Sequence, residues 1–295
     1  MRVLVTGWSS FVHGEATAGD VLSMRRVGET LAGAGIPYET AWSPGFRPDA
    51  LHLDDADSGR YSHLVFVCGP AHGEQVRTLH ERYAGCRRIA VGVSVLDPAD
   101  AAVTGFHRVL ARDDPGTARP DMSVSAITGT VPVIGVVFAP GQAEYGSARR
   151  HDSVHEALER WLGGLDCARL PLDTRLAGDD WRQCRTPDQL ASVFARLDAV
   201  VTTRLHGLVF ALRAGVPVLA VDPVAGGGKV TAQAAALGWP ALITAEQALD
   251  TGVVDHWWQW CLSAAGREHA RRNEFPAADC LAAALLDELL PGRSE

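Results

Sequence analysis

Residues 198–229 read DAVVTTRLHGLVFALRAGVPVLAVDPVAGGGK, and their pattern decides the fold. Val200 and Val201 close a short apolar run, and Thr202 to Gly207 form a polar turn. Helical periodicity resumes at Leu208, Val209, Ala211 and Leu212. Gly215 and Pro217 end that helix, Val218 to Val221 form a further strand, and Gly226-Gly227-Gly228-Lys229 opens another helix. Strand, turn, helix and strand in this order specify a parallel α/β sheet. In such sheets ligands bind outside the carboxyl ends of the strands. The spacing therefore predicts that Arg204, His206 and Lys229 meet at one sheet edge, in a cationic pocket that carries a histidine.

The pattern extends in both directions. The strand Arg2 to Thr6 leads into the loop Gly7 to Gly14, and Gly19-Asp20 opens a helix through Leu22, Val27 and Leu31. Asp20 has two readings, a helix cap or part of a loop that closes over a ligand between domains. Strands follow at His63 to Cys68 and Arg88 to Val93, with a helix from Glu74 to Ala84 between them. His13 and His72 sit in loops after strands, where isolated histidines are usually solvated bystanders. The polar, turn-rich segment 111–120 marks the approach to a domain edge.

A second series starts with the apolar run Val131 to Phe138, a strand buried on both faces. It continues through a helix from Arg150 to Leu162, a strand Cys167 to Leu170 and a helix Pro187 to Arg196 capped by Thr186. Beyond Lys229 come a strand near Ala241 to Ile243 and two terminal helices, the first carrying Trp257, Trp258 and Trp260, which are read as packing residues rather than a sugar platform. The expected architecture is α/β with two Rossmann-like doubly wound domains, residues 1–130 and 131–295.

Composition narrows the function. The 295 residues are 47% hydrophobic and 21% charged, as in folded globular proteins, and the net charge is -8. Basic residues cluster only in pairs such as Arg25-Arg26 and Arg87-Arg88, so nucleic acid is not the expected partner. No apolar run reaches the roughly 18 residues of a membrane span, and with no leader pattern before the first strand the expected location is cytoplasmic. The six cysteines occur singly with no CxxC, which argues against zinc and a disulfide framework. Lys229 is the only lysine beside 26 arginines, and its place after three glycines at a helix start favours a chemical role.

With Thr203-Arg204-Leu205-His206-Gly207, Gly215-Val216-Pro217 and Lys229, the chain resembles the polysaccharide pyruvyl transferase family. Weaker echoes are Gly19-Asp20, Cys68-Gly69-Pro70 and Ala111-Arg112-Asp113. The resemblance implies a glycosyltransferase-B-like pair of domains, the first on the acceptor side and the second on the donor side. It also implies phosphoenolpyruvate as co-substrate, no other cofactor and no metal, and a sugar or glycoconjugate acceptor with two free hydroxyls. Arg204 would bind the donor's carboxylate or phosphate and His206 would transfer the proton. Where relatives often place an arginine before proline, this chain has Ala139-Pro140, so a further anion contact is expected from Arg149 or Arg150.

The residues suit that chemistry. Arginine meets carboxylate or phosphate bidentately, lysine supplies a compact charge, and histidine donates and accepts protons. Leu205, Gly207, Gly227 and Gly228 complete the expected binding set, the glycines letting backbone N–H groups approach an anion beside the positive end of a helix. Two rivals share the fold: a nucleotide-sugar glycosyltransferase, and a catalytically altered member that binds an anion or a partner. The first would need a ribose-clamping carboxylate, and Asp222 is the only one between Arg204 and Lys229.

Overall fold

A computed structural model describes residues 1–12, 14–114, 117–141, 143–272 and 280–289, so His13 lies outside the described residues. The chain divides into two compact units, Met1–Gly129 and Thr130–Glu295.

In the first unit, five strands alternate with helices: β1 (Val3–Gly7), α1 (Ala18–Gly33), β2 (Tyr38–Thr40), β3 (His63–Val67), α2 (Glu74–Arg82), β4 (Arg87–Val93), α3 (Ala101–Thr104) and β5 (Arg108–Ala111). All pair in parallel, in the order β2-β1-β3-β4-β5. Strand β1 is buried along its whole length because helix α1 covers one face of the sheet. Helices α2 and α3 share a core with Leu4, Leu64 and Phe66 on the other face. A short hairpin, β6 (Asp113–Asp114) and β7 (Thr117–Ala118), follows.

The second unit repeats the plan with β8 (Val133–Val137), α4 (His151–Gly163), β9 (Ala168–Pro171), α5 (Pro187–Phe194), β10 (Ala199–Thr202), α6 (Leu205–Arg213), β11 (Val218–Val221), α7 (Lys229–Ala236) and β12 (Leu242–Ile243). Its parallel order is β12-β11-β10-β8-β9. Counted within each unit, both sheets run 2-1-3-4-5, with the order reversing between the first and third strands. That reversal leaves a crevice at the carboxyl edge, where such sheets bind ligands. Two Rossmann-like α/β units are therefore present, as the alternation of apolar runs and helices predicts.

Several boundaries differ from the sequence reading. Strands β2 and β5 have no strong apolar signature, since Tyr-Glu-Thr and Arg-Val-Leu-Ala sit at the sheet's two edges, and the sequence reading omits both. Among the described residues the tail holds three helices, α8 (Thr251–Leu262), α9 (Ala264–Arg271) and α10 (Cys280–Leu289), rather than two. Thr186 caps α5 through Gln189 N–H, with Pro187 at the first position. Trp258 is buried edge-on to Trp161, while Trp257 and Trp260 are half-buried against the same core, so packing accounts for them. No described helix is long and apolar enough to cross a membrane.

The crevice of the first unit is filled from within. After β3, Cys68 and Gly69 take left-handed backbone angles (φ 60° and 65°), and the Trp8 indole N–H donates to Pro70 O at 3.1 Å. A Cβ on Gly69 would lie 2.1 Å from the Trp8 ring, so glycine is needed for this closure. Residues 8–10 are thus folded down: Ser10 Oγ accepts from Gly7 N–H and donates to Ala41 O.

Three histidines, His80, His151 and His155, are packed in the two units, and burial pushes each pKa below the ordinary value. Their folded pKa values lie below the unfolded value of about 6.5, so the unfolded chain binds more protons just beneath that pH. Their stabilising contribution is complete above about 6.5 and is lost as the pH falls through the depressed folded values. Urea titrations at stepped pH should show stability declining on that acid side. The double variant His151→Gln, His155→Gln should decline less steeply; an unchanged slope would contradict the assignment.

Candidate active site

The crevice of the second unit is open. Ala139 and Pro140 follow β8, Arg204, Leu205 and His206 follow β10, and Lys229 starts α7; these six residues line one cavity of about 240 Å³. Arg204, His206 and Lys229, placed together by the sequence reading, share its wall.

The turn that presents them is held by two threonines. Thr202 Oγ1 donates to Val137 O at 2.9 Å and accepts from Arg204 N–H at 3.0 Å, tying β10 to the end of β8. Thr203 N–H donates to Val137 O, and Thr203 Oγ1 accepts from Ala139 N–H at 2.8 Å. His155 Nε2 lies 3.1 Å from the same hydroxyl, and its ring stacks on Phe138 at 4.8 Å. Helix α6 starts against this knot. A Cβ on Gly207 would lie 2.2 Å from Thr202 Oγ1 and 3.2 Å from Val137 Cβ, so Gly207 serves close packing and is buried. The sequence reading assigns its missing side chain to the approach of an anion; the structure uses it for packing against Thr202, and its N–H belongs to the uncapped first turn of α6.

Arg204 is one-fifth exposed and its Nη1 holds Asp173 Oδ1 at 2.7 Å. Asp173 also takes Arg175, at 2.6 Å from Nη2. Burial raises the Asp173 pKa, but the Arg175 hydrogen bonds and the Arg204 charge outweigh it and hold the carboxyl below its ordinary range. The guanidinium nominated for an anionic donor thus already carries an internal carboxylate. No local pattern marks this partner, which lies 31 positions earlier. Its one signal is its place just beyond the carboxyl end of β9.

His206 is exposed at the cavity wall, and among the described residues its ring makes no hydrogen bond. The N–H groups of the first turn of α6, which begins at Leu205, have no side-chain cap. They leave the positive end of the helix beside the cavity.

Lys229 is exposed, with Nζ 6.0 Å from the centroid of the Tyr145 ring. A cation in the first turn of a helix opposes the helix dipole, and an anion between it and Arg204 would relieve that conflict. The glycines before it do something other than expected. Gly226 and Gly227 have φ of 80° and 89°, turning the loop around buried Asp222. Asp222 accepts from Gly228 N–H at 2.6 Å, Thr231 N–H at 2.9 Å, Thr231 Oγ1 at 2.7 Å and Val224 N–H at 3.1 Å. Gly227 N–H donates to Val224 O. The backbone cradle is therefore filled by the protein's own carboxylate, and Gly227 and Gly228 do not offer N–H groups to a substrate.

Four other expected residues lie elsewhere. Arg150 Nη1 donates to the Ser147 and Arg149 carbonyls and does not line the cavity. Arg149 clasps Asp152 with both oxygens within 2.9 Å, so the contact absent at Ala139 is not supplied by that pair. Gly19 and Asp20 lie in the first turn of α1, in the other unit. Thr17, not Asp20, is the cap: its hydroxyl accepts from Asp20 N–H and donates to the Asp20 carboxylate at 2.8 Å. A Cβ on Gly19 would meet only Thr17 Oγ1, at 3.9 Å, so no close approach calls for glycine there. The other weaker echoes make structural contacts too: Arg112 pairs with Asp121 at 2.7 Å, and Pro70 O accepts from Trp8; the loop histidine His72 pairs with Asp100 at 2.7 Å.

Residues 169–223 match the polysaccharide pyruvyl transferase family model. That stretch runs from β9 to Asp222 and holds Asp173, Arg204 and His206, while Ala139, Pro140 and Lys229 lie outside it. No curated protein matches the chain. Among solved structures, the calicheamicin glycosyltransferase CalG4 is 15% identical over 98% of this chain and 97% of its own, with a TM-score of 0.33. WaaG, a glycosyltransferase involved in lipopolysaccharide biosynthesis, is 14% identical over 99% and 100%, with a TM-score of 0.37. The E. coli heptosyltransferase WaaC with ADP is 14% identical over 92% and 99%, with a TM-score of 0.29. The fold class rests on the two sheets themselves.

Two variants test this geometry. Gly207→Ala should destabilise the protein by about 1 to 3 kcal/mol, the usual cost of overpacking a filled site, read as a lowered urea midpoint at unchanged slope. Asp173→Asn should tighten the binding of a small dianion at least tenfold if the carboxylate competes for Arg204. Weakened binding would make Asp173 a support for Arg204 instead.

Proposed function

We propose that the protein transfers the pyruvyl group of phosphoenolpyruvate to two hydroxyls of a sugar or glycoconjugate, forming a ketal and releasing phosphate. The observation that carries this reading is the meeting of Arg204, His206 and Lys229 on one small cavity at the crevice of the second sheet. The family match over residues 169–223 supports it. Phosphoenolpyruvate bears a carboxylate and a phosphate, and a site with one guanidinium, one ammonium and an uncapped helix start suits such a compact polyanion.

In the proposed reaction a proton is delivered to the methylene carbon of the donor, and the adjoining carbon becomes an oxocarbenium-like centre. An acceptor hydroxyl attacks that carbon and gives up its proton. The carbon–oxygen bond to phosphate then breaks with its electron pair on the departing phosphate. The second hydroxyl closes the ring and loses its proton in turn. His206 moves the protons, a role worth about 10² to 10⁴ in rate. Arg204 and Lys229 hold the donor's charges.

The nucleotide-sugar reading is weakened by Asp222. Its carboxylate is buried and engaged by four donors, which leaves it unable to clamp a ribose. The catalytically altered reading draws support from one feature, the occupation of Arg204 by Asp173.

Phosphoenolpyruvate should raise the melting temperature, as any ligand of the folded state does, whereas nucleotide sugars should leave it unchanged. With phosphoenolpyruvate and a panel of glycosides, free phosphate should appear. His206→Ala should keep the thermal shift and lose turnover, and Arg204→Ala should lose the shift. Thermal stabilisation without phosphate release on any glycoside would favour the altered member, and full activity of the His206 variant would remove its assigned role.

A further inference from the structure

The two sheets share one strand order, yet their second crossovers differ. In the second unit the chain passes from β9 to β10 through α5, which buries Leu190 and Phe194 and sets Phe194 5.7 Å from Phe210 of α6. In the first unit the matching passage from β2 to β3, residues 41–62, contains only the one-turn 3₁₀ segments Leu53–Asp55 and Ser58–Arg60. The helix that would pack beside α2 is missing. Gln75, Thr78 and Arg82, spaced to lie along one stripe of α2, face the resulting gap.

That gap is a cavity of about 490 Å³, within the usual range for small-molecule sites. Phe11, Val12, Pro44, Leu53 and Leu79 give it an apolar floor, and Val12 is more than half exposed. Its rim is acidic. Asp54, Asp55 and Glu74 outnumber the one lining arginine, Arg82, and Arg77, which pairs with Glu74 at 3.2 Å from outside the lining. Arg82 is spent on holding the crossover: Nη1 pairs with Asp54 at 3.2 Å and Nη2 donates to Asp54 O at 2.9 Å. His52 lies against Arg47 O and the Asp55 carboxylate.

We infer that this cavity in the first unit is a second ligand site, for an uncharged molecule with an apolar body and hydroxyl groups. The floor removes the apolar body from water at a gain of about 25 cal/mol per Å². The rim carboxylates accept hydrogen bonds from hydroxyls and repel anions. The site is separate from the Arg204 cavity in charge and chemistry, and it stands whether or not phosphoenolpyruvate is the donor there.

The test uses the intact protein and isothermal titration with para-nitrophenyl β-D-glucoside, para-nitrophenyl sulfate and methyl β-D-glucoside. The aryl glucoside should bind with one equivalent, at least tenfold more tightly than either of the others. Thr78 is exposed on α2 at the cavity mouth, so Thr78→Trp should fill the opening, keep the melting temperature and weaken aryl glucoside binding at least tenfold. Asp55→Arg, at an exposed rim position, should bring para-nitrophenyl sulfate binding up to or past that of the glucoside. Equal binding of the sulfate by the unaltered protein would overturn the inference. So would an affinity in Thr78→Trp equal to that of the unaltered chain, or no binding of the aryl glucoside. The phosphoenolpyruvate thermal shift should persist in Thr78→Trp, which separates failure here from failure of the pyruvyl reading.

Discussion

The second unit depends on one hydroxyl. Thr202 Oγ1 joins the last carbonyl of β8 to the first N–H of the Arg204 turn, and Gly207 lets α6 settle directly upon it. Both strands bordering the crevice end at this knot, so the side chains on either side of the cavity are positioned together. A buried hydroxyl bonded on both sides contributes about 1 kcal/mol per bond, yet leaving its partners unpaired costs more. The result is a rigid base under the exposed His206.

Two carboxylates set the electrostatics around that base. Asp222 occupies the helix start that the glycine run seems made to offer, so the loop's N–H groups are consumed in folding. Asp173 rests on Arg204. The first is buried and permanent in character. The second is partly exposed and shared with Arg175. The cavity is thus less cationic than Arg204 and Lys229 alone would make it.

Much of this was legible beforehand. Continuous apolar runs such as Val200-Val201 and Val218 to Val221 announced parallel strands, and Thr186-Pro187 announced a helix start, because those signals are local. The gathering of Arg204, His206 and Lys229 was legible too, since two successive strands deliver them to one sheet edge. What escaped was non-local or ambiguous. Asp173 reaches Arg204 across a crossover that no periodicity records. The glycines before Lys229 were read as a cradle for a ligand, and the same flexibility serves a turn around Asp222. Gly207 looked like part of a binding motif, whereas its missing side chain makes room for Thr202. Trp8, read as part of an open loop, stoppers the crevice of the first sheet, and that asymmetry between two sheets of equal topology could not be seen from composition.

The solitary lysine has a practical consequence. Lys229 is the only side-chain amine in the sequence and stands on the wall of the cavity. Amine-directed acylation therefore meets a single side chain, already at the place of interest. A fluorophore or spin label could be anchored there in the unaltered protein with no engineered cysteine, leaving only the α-amino group as a competing position to subtract.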